Sequence, residues 1–127
     1  MKIAFASTDG VHINDHFGWC KCFYMYELRD DAFVFVKTLD ASSQISEEGD
    51  KLAYKIKCLE DANLLCASHI GPKAVMMVKS SGIFVLKTEN ETERIDAYLE
   101  HLLKLKNVQP PLWMQRFLHA PSSHSFS

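Results

Sequence analysis

No apolar run in this 127-residue sequence approaches the roughly 18 residues needed to span a bilayer, so no transmembrane segment is expected. A basic excess is missing as well. Fourteen Lys and Arg against 16 Asp and Glu leave a formal charge of −2, which predicts neither nucleic acid nor an anionic membrane as a partner. No apolar leader or small-residue cleavage site is expected either, because Met1-Lys2 runs straight into an alternating strand, and a cytoplasmic protein is the expectation. The four cysteines, Cys20, Cys22, Cys58 and Cys66, form neither a disulfide framework nor the Cys-x-x-Cys of redox and zinc sites. Cys58, on the apolar side of a helix, and Cys66, in a strand, read as buried thiols. Cys22 reads as an ordinary strand residue, whereas Cys20 lies nearer a histidine-bearing loop and stays a candidate ligand. What is present, 47% hydrophobic and 24% charged residues, suits one globular core.

Ile3 and Phe5 alternate in a first strand over residues 2–7. Residues 21–28 and 32–38 form a hairpin about Arg29-Asp30-Asp31, and the run Ala32-Phe33-Val34-Phe35-Val36 predicts that its second arm is largely buried. A helix follows over residues 46–62, with Ser46 as its cap and Glu47, Glu48 and Asp50 favoured by the dipole. Leu52, Ala53, Ile56 and Leu59 supply its apolar stripe. Residues 63–67 read as a central strand. Pro72 suits the first turn of a helix ending at Ser81, whose Ala74-Val75-Met76-Met77-Val78 predicts cover on more than one side. Residues 83–86 make another strand, and residues 91–106 a final amphipathic helix with Ile95, Tyr98, Leu99, Leu102 and Leu105 inward. This order implies an antiparallel meander followed by parallel crossovers: an α/β domain with a mixed, about five-stranded sheet flanked by helices. The domain is assigned to residues 1–107 and a C-terminal extension to residues 108–127. Within the extension, residues 110–118 read as a short helix packing Trp113 and Phe117 onto the domain. The Ser/His-rich tail with His119 and His124 reads as disordered.

The most informative stretch is Asp9-Gly10-Val11-His12-Ile13-Asn14-Asp15-His16-Phe17-Gly18, between the first two strands. Two imidazoles and two carboxylates on a loop framed by strands present metal-ligand donors. A zinc site would require three or four of Asp9, His12, Asp15 and His16 to converge, and a loop bracketed by glycines does not fix that. The competing reading is a pair of hydrogen-bonded loop histidines. A second candidate is Ser68-His69-Ile70-Gly71-Pro72-Lys73, where a strand end meets a helix N-terminus and free N–H groups suit an anion. His69 either faces the same crevice or bonds the loop, and Lys73 reads as a solvated helix residue.

The first strand with Ser7-Thr8-Asp9-Gly10, followed by His16-Phe17-Gly18, resembles the nitrogenase cofactor-biosynthesis carriers of the NifX/NafY family, and within it the small NifX type. Gly71-Pro72 and Pro110-Pro111-Leu112-Trp113 corroborate the resemblance, although Ile70 stands where relatives often carry a further glycine. The resemblance implies a three-layer ribonuclease-H-like fold and a non-catalytic, monomeric protein. It would carry the iron–molybdenum cofactor or its iron–sulfur precursor to a scaffold complex or apo-dinitrogenase. It makes His16 the metal ligand, with Phe17 packed under the loop and Gly18 allowing close backbone approach. His12, Cys20, His69 and Gly71 complete the cofactor-binding candidates. One imidazole with backbone amides suits exchangeable cargo, where four thiolates would suit a permanent centre. Three other readings stand beside it. A metal-dependent nuclease on Asp9 lacks acids in residues 63–67 and 83–86, a Cys20–His16 enzyme lacks a third member, and an interaction module would dock through Trp113 and Phe117 without a cluster.

Overall fold

The computed structural model describes residues 1–59 and 61–118, so the tail with His119 and His124 lies outside the described residues. Strand β1 (Lys2–Ala6) is the centre of the sheet. It pairs antiparallel with β2 (Cys22–Arg29), which pairs antiparallel with β3 (Ala32–Asp40). The hairpin turns at Asp30, whose positive φ of 56° is tolerated by aspartate in a tight turn. On its other side β1 pairs parallel with β4 (Leu64–Ala67), and β4 with β5 (Phe84–Lys87), giving the order β3-β2-β1-β4-β5. The expected meander and parallel crossovers thus form one open, mixed five-stranded sheet.

Helices α1 (Glu48–Cys58), α2 (Pro72–Ser80), α3 (Ile95–Val108) and α4 (Leu112–Leu118) complete the chain. Because alternate strand residues face opposite ways, β1 feeds two cores. Ala4 and Ala6 pack with Leu52 and Leu59 at α1 and with Ala74 and Val78 of α2. Ile3 and Phe5 pack on the other face with Ile95, Leu99 and Leu102 of α3 and with Met114 of α4. Each large side chain fully buried in this way contributes about 1.5–3 kcal/mol. Trp113 stacks on Phe84 at 4.7 Å, so the short last helix is part of the packed structure.

Three expectations are corrected. Strand β3 is an edge strand and is not largely buried: Leu39 is buried but Phe35 is 52% exposed, because the sheet ends there and little covers it. Helix α2 is covered on one side only, through Ala74 and Val78, and Met76 is 70% exposed. Helix α1 starts at Glu48 with Glu47 as its cap, the carboxylate accepting from the Gly49 and Asp50 amides at 3.0 and 2.6 Å, so Ser46 lies outside it. Ala53 in that helix is exposed, while Lys55 is buried. Among the described residues no helix is long and apolar enough to cross a membrane.

Candidate functional site

The loop leaving β1 has two differently built halves. In the first, the Asp9 carboxylate accepts from the Val11 and His12 amides at 2.8 and 2.9 Å and meets His12 Nδ1 at 2.8 Å. These donors, the His12 amide first, hold the Asp9 carboxyl well below the usual carboxylate range. Ser7 Oγ accepts from the Gly10 amide at 2.9 Å. Gly10 has φ of 76°, and a Cβ there would stand 2.9 Å from the Tyr24 ring, so both backbone and space call for glycine. Ile13 is fully buried and its amide bonds to the Glu93 carbonyl at 2.8 Å, which ties this half to the start of α3.

The second half is anchored from outside. The Phe17 amide donates to the His69 carbonyl at 2.9 Å, making His16 and His69 partners in a parallel bridge beyond the end of β4. Bridged residues sit side by side at strand spacing, and their imidazoles accordingly stack at 4.2 Å with 10° between planes. Trp19, turned back by Trp19 and Cys20 amides that donate to the His16 carbonyl, stacks on His16 at 4.7 Å. Two parallel rings this close to one imidazole must occupy its two faces. Phe17 lies fully buried beneath, with its ring 5.7 Å from that of Phe23. Lys55, only 2% exposed, reaches from α1 and donates to the carbonyls of Cys20 and Ala41, pinning the end of the turn.

Ring-nitrogen chemistry is determined by neighbours. The Ser68 hydroxyl bonds the Asp15 carbonyl at 3.1 Å, and that oxygen can only accept, so the single Ser68 proton is committed there. The contact of Ser68 Oγ with His69 Nδ1 at 3.0 Å is therefore donated by His69. Glu91 Oε1, 3.6 Å from the same nitrogen, favours the same tautomer. Neutral His69 thus keeps its lone pair on Nε2, in the arrangement by which hydroxyl or carboxylate neighbours orient metal-binding histidines. The ring nitrogens of His16 have no hydrogen-bond partner among the described residues. One ligand atom each from His16, His69 and Glu91 lie within 4.8 Å of one another.

These rings border a crevice of about 420 Å³, also lined by Gly18, Gly71 and Lys73. A Cβ at Gly18 or Gly71 would meet nothing within 4 Å, so the backbone there is open to the crevice. Gly71 caps α2 with no side-chain hydrogen bond, which leaves first-turn amides and the positive helix end facing outward.

Of the residues singled out in the sequence, the structure brings together His16, Gly18, His69 and Gly71, with Phe17 as their floor. His12 is not among the grouped donors and is turned to Asp9. Cys20 is fully buried, its thiol donating to the Cys22 carbonyl at 2.9 Å, and burial pushes its pKa up to about 12. Cys66 is likewise a buried thiol, pushed up to about 12, and Cys58 is half-buried at the core margin. Trp19 and Glu91 were not anticipated. An aromatic directly after His-Phe-Gly was the available signal for Trp19. Glu91 reaches the site through the turn after β5, which no local pattern announces.

Fold and site define a small α/β protein with an open, imidazole-bordered crevice at the strand ends of its sheet. Residues 1–105 match the family described as dinitrogenase iron-molybdenum cofactor, and the chain belongs to that family. It is similar to the protein NifX of Herbaspirillum seropedicae, with 30% identity over 91% of this chain and 80% of that one. It is also similar to NifX of Rhodobacter capsulatus, 28% identical over 93% of this chain and 77% of that one. Among solved structures it shares its fold with PH0822, at TM-score 0.66 and 17% identity over 82% of this chain and 91% of that one. The mj0327 protein of Methanocaldococcus jannaschii matches at TM-score 0.57 and 20% identity, over 82% of this chain and 88% of that one.

Proposed function

We propose that this protein is a non-catalytic carrier that holds the iron–molybdenum cofactor, or its iron–sulfur precursor, in the crevice beside His16 and passes it on during nitrogenase cofactor assembly. The observation that carries the reading is an imidazole whose nitrogens have no hydrogen-bond partner among the described residues, fixed between Trp19 and His69 at the mouth of an open crevice. His16 is the metal ligand, and His69 Nε2 is a second donor held ready by Ser68 and Glu91. Gly18, Gly71 and the amide end of α2 admit an anionic cluster to close backbone contact. Few covalent ligands make the cargo exchangeable, as transfer requires. The raised pKa of Cys20 is the opposite of what an activated thiol nucleophile needs, which supports a carrier over a Cys20–His16 enzyme.

The strand order, with helices on both faces, supports a three-layer ribonuclease-H-like architecture. Residues 1–107 form the carrier domain, and the 108–127 extension attaches through α4. The carrier works as a cytoplasmic monomer, and the recipients are the scaffold complex and apo-dinitrogenase. Anaerobic titration with purified iron–sulfur precursor, read by absorption and gel filtration, tests the reading. Saturable binding that His16→Ala weakens about tenfold or more, with folding stability changed by less than about 0.5 kcal/mol, is expected. Absence of binding to the unaltered protein overturns it.

A further inference from the structure

Next to the crevice, and sharing Gly18 and Trp19 with it, lies a larger cavity of about 730 Å³. Lys21, Lys51 and Lys55 line it together with Ser42, Tyr54 and Ile45, and no described carboxylate does. Lys55 forms its floor. Its two hydrogen-bond acceptors, the Cys20 and Ala41 carbonyls, are neutral, and an ammonium has three N–H donors, so one has no acceptor among the described residues. The ammonium groups of Lys21 and Lys51 make no hydrogen bond or ion pair with a described residue. Burial, with Lys51 adding to it, pushes the Lys55 pKa down against the weaker opposing pull of Cys20, Cys58 and Asp15. A buried ammonium without a counter-carboxylate is costly, and like charges around one cavity repel. A bound anion relieves both penalties. The walls supplied by Trp19, Tyr54 and Ile45 suit a carbon skeleton better than a bare inorganic ion. The volume falls in the ~300–1,000 Å³ range of small-molecule sites.

We infer that this cavity is a binding subsite for a small organic polyanion carrying two or more carboxylate or phosphate groups. Lys21 and Lys51 pair with its charges, and Lys55 donates to it from the floor. The inference is independent of the cargo reading, since it is tested with no metal cluster present. The full chain is titrated at low ionic strength with citrate and, separately, with fructose 1,6-bisphosphate, by calorimetry and amide NMR. Saturable binding of at least one probe is expected, with shifts concentrated in residues 42–45 and 51–55. Lys51→Gln is expected to weaken it about tenfold, and added salt to weaken it further. The tighter probe tells whether carboxylates or phosphates are preferred. No saturable binding of either probe overturns the inference. So does equal affinity in the unaltered protein and in the Lys21→Gln, Lys51→Gln double variant.

Discussion

His12 and His16 stand four residues apart in one loop and are held in unlike ways. His12 closes on Asp9, whose carboxylate also takes two backbone amides, so its Nδ1 is satisfied within the loop. His16 is fixed by ring stacking and by the bond of its neighbour Phe17 to His69, and its nitrogens stay open. Residue type and spacing do not separate these two histidines. Their surroundings do: His12 is drawn to Asp9, away from the grouped donors, whereas His16 is stacked beside His69 and within reach of Glu91.

The contrast breaks most severely at the floor of the open half. Phe17→Ala removes a fully buried ring under His16 and is expected to cost about 3–5 kcal/mol in urea unfolding, with the stack lost as well. A loss below about 1 kcal/mol would mean that the turn does not depend on its floor. The contrast sharpens through the tautomer. Ser68→Ala leaves His69 Nδ1 without its nearest acceptor and is expected to weaken cluster binding about tenfold, whereas His12→Ala leaves the affinity unchanged. Equal losses in both variants, measured by anaerobic titration, would erase the distinction between the two halves.

The smallest effect concerns the closed half and pH. The Asp9 carboxyl is held well below its ordinary value of 3.8, so its contribution to stability is complete above that value and is lost as pH falls from there through the lowered pKa. Amide protection of Val11 and His12 is expected to drop relative to Phe17 between about pH 4 and about pH 2, and Asp9→Asn to flatten the difference. A parallel decline at all three amides would show that the loop opens as one unit.

The sheet was legible in the sequence because alternation in Ile3 and Phe5, the short runs between helices and the Pro72 start each report a local preference that the packing also satisfies. Errors arose where exposure depends on distant cover. Ala32 to Val36 reads as buried, yet it lies at an edge, a position that strand order alone decides. Lys55, a charged helix residue, is buried because two carbonyls 14 and 35 positions away converge on it, which nothing in its neighbourhood along the chain announces. In the site, His16 and Gly18 were legible from one contiguous motif. The stack with His69 depends on a bridge between segments 53 residues apart, and Glu91 enters from a third segment. Such through-space groupings leave no periodic trace along the chain.

Packing of α4 also bears on how the chain is made. Ile3 and Phe5 of β1 share one core with Met114, and Trp113 and Phe117 pack on its margin, so the central strand is covered in part by a helix synthesised well after it. A nascent chain ending before residue 112 presents the apolar face of β1 and β5 incompletely covered. Exposed strand surface of that kind is where nascent chains aggregate. Completion of this domain is thereby set by the emergence of a seven-residue helix.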